Sequence, residues 1–161
     1  MRTRVSMVAL AAAAMVLGTA NPAAAATYNL TYYEQTTSFQ FIDGGAPGRS
    51  TGDVFNFRAI EFTSSSYSGT VAGEKTGSCW TYAREPDGDW IAECREAITI
   101  YGRGTLNTHG VMNQTAFERF ERQVLGIVSG GGQFAGARGN EFLVQTRFPD
   151  RAKIQLVFRT P

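Results

Sequence analysis

Apolar and polar residues alternate along much of this chain at the period of a half-buried strand. In DVFNFRAIEF (53–62), Phe55, Phe57 and Ala59 share one face. EFLVQTRF (141–148) places Phe142, Val144, Thr146 and Phe148 on one face. Glu141, Leu143, Gln145 and Arg147, mostly polar, take the other. KIQLVF (153–158) sets Ile154, Leu156 and Phe158 against Lys153, Gln155 and Val157, and TYNLTYYEQ (27–35) is rich in Thr and Tyr. Between these runs lie DGGAPGRSTGD, SSSYSG, EPDGD and GRG, all turn chemistry. Only NQTAFERFERQVL (113–125) offers a helical turn. Short strands, Gly-rich turns and many aromatics predict an all-β barrel or sandwich.

The glycine-rich stretch IVSGGGQFAGARGN (127–140) joins the strand VLGIV to the strand NEFLVQTRF. Gly131, Gly132, Gly136 and Gly139 are the positions expected to need positive φ or close backbone packing. Phe134, set among them, is placed to fold back over a barrel end. A phosphate loop does not fit, because no Gly-Lys-Ser/Thr follows and no helix is predicted.

The first 26 residues change the picture of where the protein works. Arg2 and Arg4 precede the apolar run VSMVALAAAAMVLG, and NPAAAA ends in small residues. This reads as a secretory signal peptide over 1–26, cut after Ala26, leaving one domain over 27–161 and a secreted, extracytoplasmic protein. The apolar run is shorter than the ~20 residues a membrane span needs, and no later stretch reaches that length. Without Arg2 and Arg4, thirteen basic residues face fourteen acidic ones with no basic run, which argues against a nucleic-acid partner. In an oxidising compartment the only two cysteines, Cys79 and Cys94, read as a disulfide. A hairpin centred between Pro86 and Asp87 puts them directly opposite each other. Two Cys and one His without close spacing make no metal site, and His109 reads as a surface or turn residue.

Three segments resemble a known family. SGGGQFAGARGNEFL (129–143) is similar to a glycine signature shared by plant allene oxide cyclases, dirigent proteins and related bacterial barrels. GRSTGDVFNF (48–57) resembles the Gly-Asp segment that precedes it there, and GEKTGSC (73–79) the Gly-Cys segment between. The resemblance implies an eight-stranded antiparallel barrel with an apolar cavity. It also implies a cyclase, isomerase or stereochemistry-guiding role on an apolar small molecule, without metal or organic cofactor. It points to Glu34 in Tyr33-Glu34-Gln35-Thr36 as the acid, with Thr36 standing where the cyclases have Asn and the dirigent proteins their Asp.

Strand parity adds to this, because Tyr28, Leu30, Tyr32, Glu34 and Thr36 share the more apolar face of the first strand. A carboxylate there has a raised pKa and moves a proton or steadies a developing cation. Tyr32, Thr36, Phe55, Phe57, Trp80, Tyr82, Tyr101 and Phe142 are the candidates for the cavity wall, the aromatics competing with core or rim roles. The leading expectation is a secreted barrel that binds an apolar small molecule, with cyclisation or isomerisation as its reaction. The alternative is a non-catalytic secreted module, such as a protease inhibitor or wall-associated protein. An open lumen with a buried carboxylate favours the first, and a packed lumen the second.

Overall fold

The computed structural model describes residues 25–161, so the proposed signal segment lies outside the described residues up to residue 24. Eight strands follow in chain order: β1 (Ala26–Ile42), β2 (Val54–Phe62), β3 (Val71–Arg84), β4 (Trp90–Ile100), β5 (Gly104–Asn113), β6 (Gln123–Gly132), β7 (Arg138–Arg147) and β8 (Arg151–Thr160). A short helix, α1 (Gln114–Glu118), links β5 to β6. Every neighbour pair is antiparallel, and β1 pairs with β8 from Ala26↔Thr160 to Gln35↔Arg151, which closes the sheet into a barrel. Closure leaves no open sheet edge among these strands.

The disulfide joins Cys79 on β3 to Cys94 on β4, directly opposite each other with Cα atoms 4.1 Å apart. The hairpin is centred on Asp87, since Arg84 faces Trp90, one half-step from the expected centre. An irregularity between Thr81 and Ala83 leaves Tyr82 extra and restores the register at the cysteines.

The two barrel ends differ. Phe134, in the β6–β7 turn, is fully buried and meets Tyr28 and Phe158 edge-on, at 5.4 and 5.3 Å between ring centroids. Arg103 lies over its ring at 5.0 Å, so this end is plugged by aromatics. The turn depends on glycine geometry. Gly132 and Gly136 have φ of +63° and +73°. At Gly139 a Cβ would run into the Val157 carbonyl and the Phe158 backbone. Gly131 is less constrained, a Cβ there coming 3.0 Å from Thr105 Oγ1.

Gly136→Ala is expected to cost about 1 kcal/mol or more through its left-handed backbone. Gly139→Ala is expected to cost more, because two strands would have to part. Urea denaturation of both variants checks this, and two unshifted midpoints would contradict the turn described.

Candidate functional site

The opposite end of the barrel is open. The β1–β2 loop, α1 and the β7–β8 turn border a cavity of about 690 Å³. Its wall is built by strand alternation: Phe55 and Phe57 from β2, Cys79 from β3, Met112 from β5, Leu143 and Gln145 from β7. Phe39 and Phe41 from the end of β1, Phe117 from α1, and Phe148 complete an aromatic mouth. Gly77 leaves the space that the Phe57 ring occupies.

The mouth is held by polar contacts. Asp53 accepts from the backbone N–H of Ser50 at 2.6 Å and of Gly44 at 3.2 Å, and from Ser50 Oγ at 3.1 Å. These bonds pin the β1–β2 loop and lower the Asp53 pKa. From that loop Arg49 donates to Glu118 Oε2 at 2.9 Å and to Gln114 Oε1 at 3.2 Å. Asn113 caps α1 by accepting from the Ala116 N–H. Behind it Asp89 receives Arg119 on both oxygens and the Asn113 amide, and these bonds lower its pKa to about 2.

A layer of buried charge floors the cavity. Lys75 is 1% exposed, and its Nζ lies 2.6 Å from Glu34 Oε2, 2.8 Å from Glu141 Oε1 and 3.1 Å from Glu96 Oε2. A fourth carboxyl, Glu61, is fully buried beside them, and neither of its oxygens has a hydrogen-bond partner in the protein. Stripping water from each ion costs several kcal/mol, and one ammonium cannot offset that for four carboxylates. Burial, joined by the neighbouring glutamates, accordingly pushes the Glu61 and Glu96 carboxyls well above their ordinary value. For Lys75 burial pulls the other way, but the surrounding carboxylates outweigh it and hold the ammonium charged. Of this layer, Glu34, Lys75 and Glu96 reach the cavity wall.

The sequence matches the allene oxide cyclase barrel like domain over residues 28–157. The chain belongs to that family. No curated protein matches it in sequence. Among solved structures, a pyocyanin demethylase is 20% identical with a TM-score of 0.68, covering 81% of this chain and 99% of its own. An exo-specific intermolecular Diels-Alderase is 10% identical with a TM-score of 0.69, covering 83% and 98%. A pterocarpan synthase dirigent protein is 12% identical with a TM-score of 0.70, covering 84% and 91%. At these identities the likeness concerns the barrel.

Within this family barrel the expected wall residues separate. Glu34, Thr36, Phe55 and Phe57 line the cavity. Tyr32 points inward but lies deeper, in the core on the plugged side, where burial raises its phenol pKa. Four candidates are corrected. Trp80 and Tyr82 are half-exposed on the outer wall, because the alternation that turns Cys79 and Thr81 inward turns them outward. Tyr101 is exposed in the β4–β5 turn at the plugged end. Phe142 also faces outward, under the Arg122 guanidinium at 3.9 Å, since β7 buries Glu141, Leu143 and Gln145 instead. His109 sits on the outer wall, its Nε2 2.8 Å from Glu93 Oε1.

Lys75, Glu61, Glu96, Glu141, Gln114 and Gln145 were not among the sequence candidates. A signal existed for three of them. Lys75 shares parity with Cys79, Glu96 with Cys94, and Glu61 with Phe55 and Phe57.

Glu61 and Glu96 keep their protons in the folded protein at pH values where the unfolded chain has lost them. The folded state therefore binds more protons, and their contribution to stability falls as pH rises from the ordinary value of 4.5 toward their raised values. Asp53, Asp89 and Asp150, with lowered pKa values, act oppositely and lose their contribution as pH falls. Glu61→Gln removes one disfavoured ionisation. Its stability relative to the parent is expected to rise between mildly acidic and mildly alkaline pH in urea titrations. A constant offset across that range would contradict the protonated layer.

Proposed function

We propose that this protein is an exported barrel that binds an apolar small molecule in its open end and cyclises or isomerises it without a cofactor. The observation that carries the reading is an aromatic cavity of about 690 Å³ with the Glu34 carboxyl in its floor. A volume of this order suits a small-molecule site. A lumen packed with side chains would have supported the non-catalytic module instead. Export rests on Arg2, Arg4 and the apolar run after them, and a disulfide is at home in an oxidising compartment.

Glu34 is the group the ligand meets. Its partner Lys75, 2.6 Å away, fixes its position, and the packed core beneath the floor leaves Glu34 only 7% exposed. Positive charge developing on a substrate atom above Glu34 is stabilised by a dipole already in place, in a medium of low dielectric. The aromatic wall shapes the bound conformer, which favours ring closure by holding the reacting ends together. Cys79 is tied to Cys94 and supplies no thiol. Solved structures that share the barrel illustrate the range of chemistry it can host: a pyocyanin demethylase, a Diels-Alderase and a pterocarpan synthase dirigent protein.

Native mass spectrometry of the protein secreted by its own source is expected to reveal a co-purifying hydrophobic molecule. Glu34→Gln is expected to fold, to retain the disulfide, and to turn that molecule over about a hundredfold more slowly. Undiminished turnover by the variant would remove Glu34 from the mechanism.

A further inference from the structure

The charge around the cavity discriminates between ligands that share an apolar body. Glu34, Glu96, Glu118 and Asp150 line it, against Lys75 and Arg49. Arg49 pairs with Glu118, Arg147 pairs with Asp150, and Glu96 keeps its proton, so the imbalance lies in the floor, where Glu34 and Glu141 share the one Lys75 ammonium. Neither cation is available to an anion. Lys75 Nζ already lies within 3.1 Å of oxygens from Glu34, Glu96 and Glu141. Arg49 is engaged by Glu118 and Gln114. Behind the wall, Glu61 and Glu141 are fully buried and add further carboxyls to the same layer.

The neutral part of the wall has the same preference. Phe39, Phe41, Phe55, Phe57, Phe117 and Phe148 present six aromatic rings, whose faces attract cations. Gln145 is 4% exposed and lines the cavity, and its Oε1 has no partner in the protein. That oxygen is an unused acceptor for an N–H donor. Gln114, 2% exposed on the same cavity, leaves its Nε2 without an acceptor while its Oε1 is used by Thr81 and Arg49. A buried amide atom without a partner is costly, and a ligand group placed against it recovers that cost.

We propose that the ligand is a lipophilic organic cation: an aromatic or alicyclic body carrying a protonated nitrogen that docks on Glu34 and Gln145, with an oxygen elsewhere that accepts from Gln114. A carboxylate of the same shape, such as a fatty-acid-like anion, would meet the acidic floor with no free cation to receive it. This rests on the reading of the barrel as a small-molecule container and narrows the class of molecule it takes.

The test uses three fluorescent probes of one shape: anthracenylmethylamine, anthracenemethanol and anthracene carboxylate, titrated into the disulfide-bonded protein at low salt. The amine is expected to bind at least about tenfold tighter than the alcohol, and the carboxylate about tenfold weaker than the alcohol or not at all. Glu34→Gln should reduce the amine's advantage and leave the alcohol's affinity in place. If that variant does not fold, Gln145→Leu provides the same comparison without touching the ion layer. Equal affinity of amine and alcohol, tighter binding of the carboxylate, or an amine preference untouched by a folded variant would overturn the inference while leaving the container reading intact. Failure of all three probes to bind would overturn both.

Discussion

A fully buried ammonium governs this barrel. Lys75 cannot be left unpaired in the interior, so carboxyl groups from β1, β4 and β7 have to converge on one level of the lumen. Each must arrive with inward parity, which fixes which face of its strand is buried. A slip of one residue in any of the three would turn a glutamate outward and strand the ammonium. The ion layer thus specifies register from within, as the Cys79–Cys94 bridge does covalently between β3 and β4. It also divides the lumen. On one side Tyr28, Phe134 and Phe158 fill the barrel; on the other the wall stays open.

Much of this architecture is legible in the sequence, for reasons that particular residues make plain. The period-two runs at 53–62 and 153–158 bury the faces their apolar residues suggest, because both strands spend most of their length against apolar neighbours. The glycines at 132, 136 and 139 stand where a tight turn and a close strand approach leave no room for a side chain. The run at 141–148 misleads. Its more apolar face, with Phe142 and Val144, looks outward, while Glu141 and Gln145 are buried. Hydrophobic alternation assumes an oily interior, and this interior is ionic at mid-height and amide-lined above. Lys75 makes the point most sharply. Read alone it is a surface residue; read with the parity of Cys79 it must point inward.

The candidate site follows the same logic. Glu34 was accessible through the first strand's alternation, since Tyr28, Leu30 and Tyr32 share its face. Gln114, on a five-residue helix, and Arg49, in a loop, are placed by contacts across 65 residues of sequence, and no local pattern signals them. Family membership supplies the barrel, but barrels of one fold serve different chemistries, and the differences lie in what lines the lumen. Here those residues are an aromatic mouth, a tethered cysteine pair, two amides with free valences, and an acidic floor whose carboxyls outnumber its only ammonium.

That imbalance is the centre of the account, and the protonation state of the glutamates reports it directly. Carbon NMR of protein labelled at the glutamate side-chain carboxyl, with Glu61→Gln and Glu96→Gln used for assignment, follows each carboxyl through a pH titration. The Glu61 and Glu96 signals should still be at the protonated position at pH values where exposed glutamates, ionising near 4.5, have already lost their protons. Ionisation of all glutamates together near the ordinary value would contradict a buried, proton-holding layer and the cavity floor built on it.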